Sequence, residues 1–369
     1  MGQGGERSIS QGEMMNREVL AKSLVAACDV PAGTEITEAM VRIQSPGQGL
    51  QPNRLKDLIG RRLPVAKAQG EVFFPSDLET PAATPRHYRF KQPFGLPVRY
   101  HDIKVFSEVS NLDLVEIHLS YKDLEVDLNQ VLPNRQGIGL VVHAPELFAG
   151  DHTLDLCTED SSYRNHSIGQ LQRVIDISRD LRTRFQCPDP VLLVTNVGGF
   201  SEHHHLNRSE REPLRERLIA SLQQLNTAGE VEIIPQTMPP FPWHFGGQRF
   251  HNLFVDQDFI SQFCEEQGMR VCLDVSHSKL ACNHQHIPFR QFLDQILPFT
   301  AHLHLADAKD VDGEGLQIQD GDIDWVQLFE QIHHHCPKAS FIPEIWQGHK
   351  NGGEAAWLAL ERLEAAAAA

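Results

Sequence analysis

From residue 94 onward, short apolar segments alternate with longer amphipathic ones, and no other feature of the chain constrains its fold as strongly. Eight segments read as strands: 96–99, 114–119, 139–143, 191–196, 231–235, 270–273, 301–305 and 341–345. Most are separated by helix-compatible stretches, such as 168–185, 211–228 and 325–335. Strand and helix in alternation build a parallel sheet, and eight such units suit a closed (β/α)8 barrel. The first two strands lie close together in sequence, so the first helix must be small.

The placement of polar residues favours a barrel over an open sheet. His118, His143, Asn196, Gln236, Asp274, His304 and Glu344 all fall near the C-terminal ends of their strands. A barrel gathers those ends on one face, where barrel active sites lie. An open doubly wound sheet gathers only some of them, and no GxGxxG follows the first strand.

Ahead of the barrel, residues 1–16 read as a flexible lead and 17–79 as a small, mostly β module. Its turn signals Pro31-Ala32-Gly33 and Ala68-Gln69-Gly70 each precede a β-type or apolar run. The Pro-containing stretch 80–93 reads as a linker, 94–364 as the barrel, and 365–369 as an alanine-rich tail.

Composition narrows the function. The formal net charge of −16, from 49 acidic and 33 basic residues, repels nucleic acid and anionic lipid. No apolar run reaches the roughly 20 residues that cross a bilayer. Seven cysteines without a CxxC pair suggest reduced, mostly buried thiols and a cytoplasmic location.

Four strand-end residues are candidate metal ligands: Gln236, Asp274, His304 and Glu344. Two carboxylates neutralise a 2+ ion, and one imidazole shifts the preference toward Mn²⁺, with Co²⁺, Mg²⁺ or Zn²⁺ as alternatives. Such an ion polarises a sugar carbonyl, and Glu344 could then take the proton from the neighbouring carbon. Other readings stay open. Asp274 could instead cap a helix, and His302 and His304 could be hydrogen-bonded core residues. The runs His203-His204-His205 and His333-His334-His335 read as solvated faces. Gly198-Gly199 and Gly246-Gly247 read as turns, or as a phosphate cradle. Phe241, Trp243 and Phe245, on a proline-rich loop, could cover a pocket or simply pack.

Five motifs in order carry a family resemblance: Val-Glu-Ile-His (115–118), Val-His-Ala-Pro (142–145), Leu-Asp-Val-Ser-His (273–277), His-Leu-His-Leu-Ala-Asp (302–307) and Pro-Glu-Ile (343–345). Together they resemble the xylose-isomerase-like sugar isomerases and epimerases. The resemblance implies metal ligands at 236, 274, 304 and 344, with His277 as a substrate-contacting and catalytic residue beside Glu344. His118, His143, Asn196 and Trp243 complete the expected substrate-binding set. The departure is Gln236, where the family normally has Glu; an amide can coordinate through oxygen but is neither acid nor base.

The N-terminal module resembles the SAF (antifreeze-like) domain of sialic acid synthases. The likeness runs through Lys22-Ser23-Leu24-Val25-Ala26, Asp29-Val30-Pro31-Ala32-Gly33, Ser45-Pro46-Gly47-Gln48-Gly49-Leu50 and Leu58-Ile59-Gly60-Arg61. Ser45 stands where the synthases carry a substrate-reaching Arg, and Arg42 is a doubtful substitute. Two functions follow as expectations. One is a metal-dependent sugar or sugar-phosphate isomerase or epimerase linked to nonulosonic acid biosynthesis, with a homodimer as one expected assembly. The other is a non-catalytic sugar-binding accessory module, or the C-terminal part of a synthase fusion, partnering a sialic acid synthase barrel. An endonuclease is disfavoured by the charge.

Overall fold

Eight parallel strands close into a barrel, in the order that the alternation predicts. They are β1 (Gly95–Val98), β2 (Leu114–His118), β3 (Gly139–His143), β4 (Val191–Thr195), β5 (Val231–Pro235), β6 (Val271–Asp274), β7 (Thr300–Leu305) and β8 (Ser340–Pro343). Hydrogen-bonded neighbours run from β1 to β5 in one arc and from β6 to β8 in another. Parallel bridges Gln236↔Cys272 and Phe94↔Phe341 join the arcs at both seams, which leaves no open sheet edge. The computed structural model describes residues 11–79, 83–132, 137–244 and 247–369; at 11, 12, 14, 15, 243, 244 and 247 the backbone alone is described.

The helices follow from local signals. The first, Ile103–Ser107, is five residues long, as the short spacing requires. Ser161–Phe185 begins seven residues earlier than its apolar periodicity, because Asp160 caps it by accepting from the Ser162 and Tyr163 amides. Arg208–Leu222 opens on a capping box between Asn207 and Glu210 and stops short of 228. Trp325–His335 matches its expected span.

Side chains alternate along each strand, so residues two apart share a face. Leu114, Val141, Val194, Ile234, Cys272 and Ile342 form an apolar layer inside the barrel. Two residues further along β2, Glu116 follows on the same face, then His118. The same step leads from the other layer members to His143, Asn196, Gln236, Asp274 and Glu344. A polar crown therefore sits directly above an apolar plug.

The chain divides into two units, one comprising residues up to Thr84 with Lys350–Glu354, the other Pro85–His349 with Ala355–Ala369. In the smaller unit, Ser23–Ala26 pairs antiparallel with Val41–Gln44, and single bridges link Val25 to Val72 and Val30 to Lys67. Leu24, Ile36, Leu50, Leu58, Leu63 and Phe73 are its core. Both expected turns form, with Gly33 and Gly70 at positive φ. Lys67 and Asp77, both buried, pair at 3.2 Å. Residues 11–16 of the expected lead are helical within Gln11–Leu20; residues 1–10 lie outside the described residues, as do 80–82 of the expected linker. The rest of that linker, 83–93, has no regular helix or strand, and the tail residues 365–367 continue the helix Lys350–Ala367.

All seven cysteines are free; five are buried, while Cys187 is half-buried and Cys28 exposed. No helix among the described residues is long and apolar enough to cross a membrane.

Candidate metal centre and active site

Strand register assembles the crown. His118 pairs with His143, and Asp274 with His304. Glu344 follows β8, its amide donating to the Leu305 carbonyl. Ligand atoms of Asp274, His304 and Glu344 lie within 4.8 Å of one another. Glu344 Oε2 is 2.6 Å from His304 Nδ1, and Asp274 Oδ2 is 3.8 Å from the same nitrogen. Gln236 completes the group: its Nε2 donates to Asp274 Oδ2 at 3.1 Å and lies 3.2 Å from His304 Nδ1, while its Oε1 is 3.2 Å from His143 Nε2.

Asp274 caps a helix, one of the readings that the sequence left open, and its other carboxylate oxygen faces the strand-end group. Its Oδ1 accepts from the His277 amide and caps the helix Val275–Gln285, while Oδ2 faces Gln236. Burial, partly offset by His277, raises its carboxyl to about 6.

The residue that sequence reasoning missed is Glu116. It is fully buried, with His118 Nε2 at 2.8 Å, His302 Nε2 at 2.7 Å and His304 Nε2 at 3.0 Å from its oxygens. Burial works against its charge, but His304, His118 and His302 hold the carboxyl well below the usual range. The signal was present: a carboxylate two residues before His118, on the same strand face of an otherwise apolar strand. His302 is the hydrogen-bonded core histidine of the alternative reading, with Nδ1 2.7 Å from Ser340 Oγ. His304 is poised differently. Glu116 takes its Nε2 and Glu344 its Nδ1, and although burial disfavours its charge, Cys272, Glu116 and Glu344 together hold its pKa well above the ordinary value. Burial would also raise Glu344, yet His304 draws it well below the carboxylate range.

Above this group opens a cavity of about 330 Å³, lined by His118, His143, Gln236, Asp274, His277 and Glu344 among others. His118 stacks on His143 with ring centroids 4.6 Å apart. Burial, with His118 nearby, pushes His143 down to about 4. His277 is held at both nitrogens, Nδ1 on the Thr237 carbonyl at 2.9 Å and Nε2 on Glu314 at 3.1 Å. Burial disfavours its charge, but Asp274 and Glu314 raise it to about 10. Glu314 was also missed, since it comes from the hairpin Asp307–Lys309 with Gly313–Leu316 and not from a strand end. That hairpin is tied down by Asp307, which accepts from the Ala308, Gln319 and Ile323 amides and from the Trp325 indole.

Asn196 is buried at the end of β4 and spends its Oδ1 on the Gly198 amide, outside the cavity lining. The Gly199 amide donates to Asp155, so Gly198-Gly199 is a turn whose amides are already occupied. The side chain of Trp243 lies outside the described residues, as do Phe245 and Gly246. Phe241 packs on His205, Phe250 and His284, away from this cavity. His203 and His204 are exposed, as a solvated face requires, whereas His205 is half-buried in that aromatic cluster.

Comparison with solved structures gives the same architecture. A D-tagatose 3-epimerase-like protein matches with a TM-score of 0.53 at 17% identity, over 74% of this chain and 98% of that one. An L-ribulose 3-epimerase matches with a TM-score of 0.51 at 14% identity, over 74% and 95%. The 3-keto-D-glucoside 4-epimerase of E. coli matches with a TM-score of 0.52 at 13% identity, over 74% and 99%. At such identities the likeness is one of fold. Comparison with curated protein sequences gives no significant match. The SAF domain model matches residues 21–79, as the resemblance of the N-terminal module implied. The model described as xylose isomerase-like TIM barrel matches residues 108–365, and the chain belongs to that family.

Proposed function

We propose that the barrel is a divalent-metal-dependent sugar isomerase or epimerase. The observation that carries this reading is the surroundings of His304 Nδ1. Two carboxylates and an amide crowd that nitrogen, while Glu116 occupies the other. A donor set of two carboxylates and one imidazole fits Mn²⁺ or a similar ion, and the Gln236 amide oxygen, which here faces His143, joins the set when the amide turns over. Asp274, His304 and Glu344 would hold the ion, with Gln236 as the neutral fourth donor. A carboxylate behind a ligating histidine is the usual support for such a site, and Glu116 supplies it.

When bound, the ion supplies Lewis acidity toward a substrate carbonyl and its neighbouring hydroxyl. Proton transfer falls to Glu344, the group's most accessible member, with its side chain 32% exposed toward the cavity. His277, immobilised by Thr237 and Glu314, contacts the substrate from the wall, as do His118 and His143. Gln236 cannot carry a proton, so a pair of opposed bases at 236 and 344 is not available.

The test is conversion of a panel of ketoses and amino sugars in D₂O with added Mn²⁺. Deuterium incorporation beside the carbonyl is expected, falling roughly 10²-fold or more in Glu344→Gln. Metal-dependent sugar binding with no exchange would favour the second reading, a non-catalytic barrel accompanying nonulosonic acid synthesis. The amide at 236 and the SAF match support that alternative.

A further inference from the structure

Epimerisation makes a demand that isomerisation does not. Inverting a carbon beside a carbonyl passes through a planar enediolate, so the proton leaves one face and returns on the other. Glu344 reaches one face, and the Gln236 amide can carry a proton to neither. Besides the candidate ligands, the acid–base side chains lining the cavity among the described residues are His118, His143, Glu146, His277, Glu314 and His349. His277 is fixed at both nitrogens by Thr237 and Glu314, and His143 by the Ala144 carbonyl and Gln236. His118 has Nε2 2.8 Å from Glu116 and Nδ1 3.9 Å from Glu344. Glu314 and His349 follow β7 and β8, on the side of Glu344 itself, where the Trp346 amide donates to the Gly315 carbonyl. Glu146 is left.

We infer that Glu146 is the second proton-transfer group of the barrel, working on the substrate face that Glu344 does not reach. This rests on the sugar isomerase or epimerase reading of the same cavity and commits it to inversion. Around the closed ring, β3 and β5 each stand three places from β8, on opposite sides. A carboxylate just beyond β3 is therefore as far round the mouth from Glu344 as residue 236 is at the end of β5. The backbone there is pinned. Pro145 precedes Glu146, the Leu154 amide donates to the Glu146 carbonyl at 2.9 Å, and the hairpin of Leu147–Phe148 with His152–Thr153 starts at the next residue. Although the residue reaches solvent, desolvation in the cleft raises its carboxyl, which helps it hold a proton. In the reaction, Glu344 takes the C–H proton while that electron pair forms the enediolate double bond and the carbonyl π pair moves to oxygen. The Glu146 carboxylic acid then gives its proton to the other face of the same carbon, and the carbonyl re-forms. Exchange with water returns a proton to Glu146 and removes one from Glu344.

The experiment incubates the full chain with the same panel of ketoses and amino sugars in D₂O with Mn²⁺. It reads two quantities separately: deuterium in the recovered starting sugar, and epimer formed. Glu146→Gln is expected to cut epimer formation about 10²-fold or more. Deuterium uptake into the starting sugar should fall by less than about tenfold, because Glu344 still removes and returns a proton on its own face. Glu146→Asp should restore part of the epimer. Equal loss of both quantities in Glu146→Gln, or epimer formed at the wild-type rate, would overturn the inference. Exchange with aldose–ketose conversion but no epimer in the wild type also overturns it, and leaves the isomerase reading in place. No exchange by the wild type with any sugar overturns that reading and the inference together.

Discussion

Glu116 shows how a single buried charge can organise a site without touching substrate. An ionised carboxylate at zero exposure is costly unless paired, and three imidazoles pair this one. By holding His304 Nε2 it leaves Nδ1 directed at Asp274 and Glu344. Glu116→Gln should therefore weaken Mn²⁺ binding roughly 10- to 100-fold in calorimetric titration. It should also lower stability by about 3 kcal/mol in urea unfolding, since it strips one partner from a buried charge group. Strand-end chemistry was legible in the sequence at this scale, because His118, Gln236, Asp274, His304 and Glu344 each interrupt an apolar strand where it ends. Glu116 was not, because its partners come from β2 and β7, 186 to 188 residues apart in the chain for His302 and His304, and only closure brings them to one point.

At the scale of elements, the eight strands were readable because a barrel strand is short, apolar and ended by polar residues. Helix starts were less so: Ser161–Phe185 begins in a polar stretch whose helicity comes from the Asp160 cap. The hairpin after β7 was not read at all, as its residues are Gly- and Asp-rich and its order comes from Asp307. Asp307→Ala removes four hydrogen bonds to a buried carboxylate. A loss of about 3 kcal/mol in unfolding free energy is expected, with weaker sugar binding because Glu314 no longer holds its place. The turn after β4 gives a second case. Gly198 has φ +84°, and an added Cβ would meet Asp155 at 2.3 Å. Gly198→Ala should lower the melting temperature by several degrees, about 1–3 kcal/mol in strain.

For the whole molecule, two units with separate cores predict two unfolding transitions in calorimetry. Mn²⁺ should raise only the larger one, by about 2.7 kcal/mol at a concentration one hundred times the dissociation constant. The order of a small module followed by a barrel was visible in the sequence through turn spacing in the first and strand spacing in the second. The acidic lining of the cavity was not, since Glu146, Asp274, Glu314 and Glu344 come from four separate loops and strand ends. The account as a whole depends on a cation at the crown of the barrel. Titration of Mn²⁺ into chelator-treated protein, followed by electron paramagnetic resonance, tests this directly. One ion per chain with a single coupled imidazole nitrogen, abolished by His304→Ala, is the predicted result. Full occupancy that survives that substitution, or no bound ion at millimolar Mn²⁺, would contradict it.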